Sequence, residues 1–573
     1  MRKRSSFLWM FLLALGFVFI GGAGYAVDAP IMEWQKSLGG SQYDYAWSIQ
    51  QTSDGGYIVA GRSESNDDDA SGSHGDNDCL IVKMDSTGGV VWRKPLGGSG
   101  NDRAQSIQQT SDGGYIVAGM SNSSNNGDVL SVNHGGLDYW IVKLNSAGGI
   151  VWEKSLGGSG GDQAYSIQQT SDGGYIVAGV SNSNGNNNGD VSGNHGGGDY
   201  WIVKLNYTGD ITWQKTLGGS GYDVANSIQQ TSDGGYIVAG QSDSNDGDVS
   251  SGNHGVYDYW IVKLNSTGDI VWEKSLGGSG GDQVFSIQQT SDGGYIAAGW
   301  SNSSDGDLSG SRGGTEWIVK LNSTGVITWQ KTLGGSGYDA ARSIQQTSDG
   351  GYIVAGYSDS SDGDVSGNHG DNDYWIVKLD STGVIVWEKS LGGSGTDTAY
   401  SIQQTSDGGY IVAGQSGSNS NDGDVSGNHG GNDYWIVKLA SDGSGTVGPV
   451  VPVDPVNPVD PVDPVNPDPA DPADPVVPVD PVNPDPADPA DPVVPVDPVN
   501  PDPVDPIDPV NPDPVDPVDP VDPVNPDPAD PDPVDPADPI NPGFGGGGCS
   551  ALDIGFGVIA LAAGMLLKKR GKR

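Results

Sequence analysis

Apolar positions in this chain come in short runs with a two-residue period, set apart by clusters of glycine, asparagine and aspartate. In the segment that begins at Asn226 the runs are "SIQQT", "YIVAGQS", "DYWIVKL" and "DIVWEKSL". They are short, β-branched and aromatic-rich, and none has a helical period, so four strands are predicted. Along "DYWIVKL", Trp260, Val262 and Leu264 point to one side and Tyr259 and Ile261 to the other. Both faces are apolar, which predicts a sheet covered on both sides. "SDGG" joins the first two runs and "NSTG" the last two, at hairpin length and with glycine where positive φ is needed. Asp233 is therefore read as a turn-holding residue that bonds its own turn backbone.

The whole pattern occurs seven times. The aspartates of its "SDGG" turn fall at Asp54, Asp112, Asp172, Asp233, Asp292, Asp349 and Asp407, 57 to 61 residues apart. Such a period belongs to solenoids, propellers or arrays. The ends of the repeat region choose among them. The first unit opens with an extra strand, "IMEWQKSL" around Trp34, and the last stops after "DYWIVKLASDGSG" without its fourth strand. The surplus matches the deficit, so the expected fold is all-β: a closed seven-bladed β-propeller of four-stranded antiparallel blades over residues 27–448, with Trp34's strand completing the seventh blade. The phrases "DGGYIVAG" and "DYWIVKL" resemble the bacterial β-propeller repeat family of secreted and surface proteins. That resemblance spans residues 31–442 and implies the fold, with little said about activity.

Two kinds of loop share one face of such a ring: the blade-to-blade linker "LGGSGxD" and the long loop "DGDVSGNHG". That face is the expected binding surface. The linker aspartates Asp44, Asp102, Asp162, Asp223, Asp282, Asp339 and Asp397 fall just before the innermost strands. Gathered beside a channel they could coordinate Ca²⁺. Their identical use in every unit favours an architectural role, tying the linker to backbone N–H groups. Pairs such as Asp246 and Asp248, Asp362 and Asp364, or Asp422 and Asp424 echo calcium loops but lack the full ligand series and its terminal glutamate. His74, His134, His195, His254, His369 and His429 recur once per unit, with Arg312 in the fifth. Spread around a ring, they are read as loop-packing residues and not as a zinc site. "STGDIVW" resembles the tryptophan-docking motif of quinoprotein dehydrogenase propellers. Those enzymes have more blades, and several carry a vicinal disulfide, which Cys79 and Cys549 cannot form. No nucleophile, base and orienter cluster appears, and the sameness of the units leaves no blade marked for catalysis. No catalytic residue or firm cofactor is assigned. A binding module is expected, with a secreted enzyme acting on an extracellular polymer or redox substrate as the alternative.

Charge and the chain ends set the expected location. A formal net charge of −46 excludes ordinary attraction to nucleic acid or anionic lipid. Residues 1–26 carry Arg2, Lys3 and Arg4, an apolar run and small residues to Ala26, which reads as a signal peptide cleaved near Ala26. Residues 449–542 hold 34 of the 36 prolines and 23 aspartates without a lysine or arginine, a composition that predicts a polyproline II stalk. Residues 543–573 join "GFGGGGCS", an apolar stretch from Ile554 to Leu567 and the basic tail "KKRGKR". Through Gly545, Gly546, Gly547, Gly548 and Cys549 this end resembles bacterial C-terminal sorting signals of the Synergistota type. The resemblance implies a sorting protease or anchoring machinery as partner and contact with the membrane through the C-terminal helix. Together the ends lead to an exported protein of the cell surface or envelope, with an extracellular protein or glycan as ligand.

Overall fold

The computed structural model describes residues 28–184, 189–308 and 314–443. The expected signal peptide with Ala26, the stalk, and the sorting residues Gly545 to Cys549 lie outside the described residues, as does Arg312. Twenty-eight strands, β1 (Met32–Leu38) to β28 (Asp433–Leu439), form seven four-stranded antiparallel sheets. The first blade shows the plan: β2 (Asp44–Gln51), β3 (Tyr57–Ser63), β4 (Asp78–Met84) and β5 (Val90–Leu96) pair in sequence order from the axis outward. The third strand, "DYWIVKL" and its variants, is buried at every position in every blade. Its two-sided apolar pattern arises because each sheet is sandwiched. Ile58, Ala60 and Ile81 of the first blade, for instance, pack on Ala104, Val117, Trp140 and Val142 of the second. The core is thus seven inter-blade layers.

The repeated tryptophan of the outermost strand locks each blade to the next. Trp34, Trp92, Trp152, Trp213, Trp272, Trp329 and Trp387 each meet the edge of the following blade's tyrosine, Tyr57 to Tyr410, with ring centroids 5.7–5.8 Å apart. Closure follows the expected route. β1 pairs antiparallel with β28, from Met32 opposite Leu439 to Leu38 opposite Tyr434, and Trp435 Nε1 donates to Gln35 Oε1 at 2.6 Å.

The innermost strand of a blade has one edge without a strand partner, and its N–H groups must find acceptors. The motif "SIQQ" supplies them from the neighbouring blade. Ile107 N–H donates to Ser48 Oγ (3.2 Å), Gln109 N–H to Gln50 Oε1 (2.6 Å), and Ser53 N–H to Gln109 Oε1 (2.8 Å). The same three bonds join the seventh blade to the first: Ile49 to Ser401, Gln51 to Gln403, and Ser406 to Gln51. Three closed hydrogen-bonded rings therefore surround the axis.

The "SDGG" phrase is a turn. Gly55 takes φ +81°, and Asp54 Oδ1 accepts from Gly56 N–H (3.0 Å) and the Thr52 hydroxyl (2.5 Å). A buried lysine of the third strand completes it: Lys83 reaches Asp54 at 3.0 Å and donates to Met84 O at 2.9 Å. The other six blades repeat the pair at 2.8–3.0 Å, from Lys143 with Asp112 to Lys438 with Asp407.

Candidate functional site

On the opposite face, the linker aspartates are the first residues of the innermost strands and are fully buried. Each accepts, through Oδ2, the N–H of the linker glycine four residues earlier at 2.7–2.9 Å. Each also accepts a serine hydroxyl, Ser65 in the first blade and its counterparts elsewhere, at 2.8–3.1 Å. They hold the linker to the blade. The expectation that they gather beside the channel is corrected by their burial between blades, where six of the seven face the third-strand aspartate of the preceding blade and Asp339 follows a blade with Thr315 at that place. A Cβ placed on Gly97 would sit 2.3 Å from Asp78 Oδ1 and 2.8 Å from Asp102 Oδ2. The opposed pairs are Asp78 with Asp102, Asp138 with Asp162, Asp199 with Asp223, Asp258 with Asp282, Asp373 with Asp397, and Asp433 with Asp44. Burial is the main cause that raises the pKa of these groups, and it brings Asp223 and Asp433 to about 6. The Oδ1 atoms of all six third-strand aspartates are buried without a hydrogen-bond partner.

The histidines cap these third-strand aspartates, which is a loop-packing role. The His134, His195, His254, His369 and His429 rings meet Oδ2 of Asp138, Asp199, Asp258, Asp373 and Asp433 at 2.5–2.9 Å, and His74 stands 3.7 Å from Asp78. In the fifth unit the sequence has Arg312 for the histidine and Thr315 for the aspartate, so both members of the pair are replaced together. Among the described residues no three histidine, cysteine, aspartate or glutamate side chains form a metal-holding group.

Among the positions that vary, one borders the most constant stretch of the repeat. From Ser48 to Tyr57 the ten residues are identical in all seven units, yet the residue just before them is Trp47, Gln105, Tyr165, Asn226, Phe285, Arg342 and Tyr400 in turn. It lies at a β-bulge that drops it from the ladder of the innermost strand. Bulges re-aim side chains, and in the fifth to seventh blades these residues contact one another. The Arg342 guanidinium lies 4.0 Å from the ring centre of Phe285 in the blade before and 5.9 Å from that of Tyr400 in the blade after. Asn226 Nδ2 donates to Val284 O of the next blade at 2.8 Å.

The flanking variable positions extend this mouth into an arc over the fifth, sixth, seventh and first blades. Tyr43, Tyr45 and Trp47 stack in series at 6.5 and 6.2 Å, and the Arg62 guanidinium lies 4.5 Å over Tyr45. Trp300 meets Tyr338 at 5.6 Å, and Tyr338 stacks on Tyr357 at 5.9 Å. Tyr400 joins the two groups. Burial pushes its phenol up to about 12, and Arg342, Tyr357, Tyr45 and Arg62 all act on it. Deeper in the channel, Ile49, Gln50 and their counterparts line a cavity of about 240 Å³. Each glutamine Oε1 of that ring is held by the next blade's backbone. Its amide Nε2 remains available as a donor.

The linker aspartates were visible in the sequence and belong to the frame. The mouth residues were missed, although a single changing letter beside ten constant ones signalled them.

No protein-family model and no curated protein matches the chain. Among solved structures, it is similar to BamB from Moraxella catarrhalis, with 16% identity, 71% of this chain and 88% of that one covered, and a TM-score of 0.32. It is similar to the Pan2 WD40 domain of Neurospora crassa at 11% identity, 70% and 95% coverage and a TM-score of 0.38. It is also similar to YCF48, in a structure with D1 peptide bound, at 9% identity, 73% and 100% coverage and a TM-score of 0.37.

Proposed function

We propose that the protein is an exported binding module whose ligand seats over the channel mouth on the linker-loop face. The observation that carries this is the variable column itself. A frame repeated seven times can reuse one solution at each position, and a task that differs around the ring accounts for Trp47, Asn226, Arg342 and Tyr400 at equivalent places. Aromatic, amide and guanidinium groups converging on a concavity are the usual furniture of a recognition site. The arc covers one side of the mouth, so it suits a ligand that lies across the axis. The linker aspartates serve this site by fixing the loops around it.

The signal peptide, stalk and sorting signal expected from the sequence fit the same reading. They would display the mouth away from the envelope, with the sorting machinery as a second partner and the C-terminal helix in the membrane. Full-length protein should be screened against glycan and peptide arrays beside the double variant Trp47→Ala/Tyr400→Ala. Removing two central aromatics should weaken the detected ligand by about 100-fold or more while leaving the β-sheet circular dichroism unchanged. A ligand bound equally well by the variant would place the site elsewhere.

A further inference from the structure

We propose that Arg342 is the anion-receiving group of this mouth, and that the ligand is a glycan carrying a uronate, a carboxylate on a sugar ring. This rests on the reading of the mouth as the binding site. The propeller segment has 49 acidic against 19 basic side chains, so a cation in it has no shortage of partners. The third-strand lysines take the hairpin aspartates, Arg62 pairs with Glu64 at 3.2 Å, and Arg93 pairs with Asp69 at 2.8 Å. Arg342 pairs with no carboxylate among the described residues. Its one hydrogen bond among the described residues is a long one, 3.4 Å from an Nη to the Tyr357 hydroxyl, and its Nε is buried without a partner among them.

Its setting fits it for one kind of anion. Phe285 covers one face of the guanidinium at 4.0 Å, which fixes the plane and leaves the donor edge to make contacts. A planar fork of donors matches a carboxylate in bidentate fashion. Tyr400 and Tyr357 flank it, 5.9 and 5.4 Å away, and offer apolar ring faces to the C–H face of a pyranose. Nucleic acid and anionic lipid present dense negative charge, which the −46 body repels, whereas a single uronate meets only the mouth.

Isothermal titration of the full-length protein should use xylo-oligosaccharides bearing one glucuronate, monomeric galacturonate, and the methyl esters of both. The acids should bind, and their esters should bind at least about ten-fold more weakly, since a charge-assisted pair is lost. Arg342→Gln should weaken the acids by a similar factor without changing ester binding, and Arg342→Lys should fall between. Esters that bind as well as the acids, or acids indifferent to Arg342→Gln, would overturn the proposal. Should Arg342→Gln fail to fold, the acid and ester comparison on the unaltered protein decides alone. Tighter binding of a peptide with a free C-terminal carboxylate, or of inorganic phosphate, would overturn the sugar assignment. A neutral xylo-oligosaccharide that binds as well as the acids and is lost only in Trp47→Ala/Tyr400→Ala would overturn this inference and leave the mouth as the site. No binding by any probe would overturn this inference, while the reading of the mouth stands or falls with the array screen and Trp47→Ala/Tyr400→Ala.

Discussion

The two faces of the propeller handle the same residue, aspartate, in opposite ways. On the hairpin face Asp54 is held at about 2 by the Thr52 hydroxyl, then, against slight burial, by Lys83 and the Gly56 N–H. Asp112, Asp172, Asp233, Asp292 and Asp349 also sit at about 2. There burial opposes the shift, and the threonine hydroxyl, the lysine and a glycine N–H outweigh it together. On the linker face the carboxylates are buried in opposed pairs with unpartnered oxygens, and burial raises their pKa values. One face is a satisfied architecture, and the other carries charge it does not fully compensate. The variable ring of the mouth stands on that second face. Unequal satisfaction around an evenly repeated frame is where a functional surface is expected.

The largest test of this contrast is the pH dependence of unfolding. A carboxyl whose folded pKa is raised binds its proton more tightly when folded. Its contribution is complete below the unfolded value near 3.8 and is lost as pH rises through about 6, where Asp223 and Asp433 titrate. The hairpin aspartates contribute in the other sense: their share is present above 3.8 and is lost as pH falls through about 2. Stability should therefore peak between these limits. Calorimetric melts from pH 8 to pH 5 should show a rise on the order of 5–10 °C, with a fall again below pH 3. A melting temperature that rises steadily to pH 8 would mean that the linker carboxylates are compensated after all.

The next test applies one substitution to both faces. Asp233→Asn removes the charge that faces the buried Lys263 at 2.9 Å and should cost about 1 kcal/mol, a small figure because that carboxylate is largely in solvent. Asp223→Asn keeps an acceptor for Gly219 N–H and Ser244, and its amide can donate to the unpartnered Oδ1 of Asp199. It should stabilise by about 1 kcal/mol at pH 8, with the gain fading at pH 5 as the parent's own carboxyl takes up a proton. Equal destabilisation by both variants at pH 8, read from urea midpoints, would erase the distinction between the faces.

How much of this was legible in the sequence depends on how far apart the partners lie. Period-two runs and glycine turns are local, so the strands, the hairpins and the role of Asp233 could be read directly. Closure could be read because Trp34's surplus strand and the missing strand after Leu439 are complementary. The "SIQQ" rings could not be read, since Ser48 and Gln50 look like the polar side of a strand until the next blade, about sixty residues on, brings up the N–H groups they cap. The same distance hid the pairing of Asp78 with Asp102. The mouth was hidden differently: Arg342 and its counterparts sit in a motif whose constancy draws attention away from the one letter that changes.

The smallest predicted effect concerns one of two junctions where the frame itself departs from the repeat, the other having Cys79. Tyr139, Tyr200, Tyr259, Tyr374 and Tyr434 each donate a buried hydroxyl to a main-chain carbonyl of the next blade at 2.8–2.9 Å. In the fifth blade that position is Glu316, fully enclosed, with Oε1 unpartnered and its pKa driven well above the usual range by burial, with Asp339 and Asp364 adding to it. A carboxyl there forgoes the tyrosine's bond at the junction between the fifth and sixth blades, where burial disfavours its charged form. Glu316→Tyr should restore the bond to the carbonyl of Trp375 and remove a buried acid. The gain should be about 0.5 kcal/mol, seen as a rise of about a degree in melting temperature at pH 7 and less at pH 4. If Glu316 belongs only to the frame, ligand binding at the mouth will be unchanged by this repair. If the repair stabilises the protein while weakening the ligand, then the fifth blade keeps its irregularity for the sake of the mouth, and the contrast between the two faces reaches into the junction between the fifth and sixth blades.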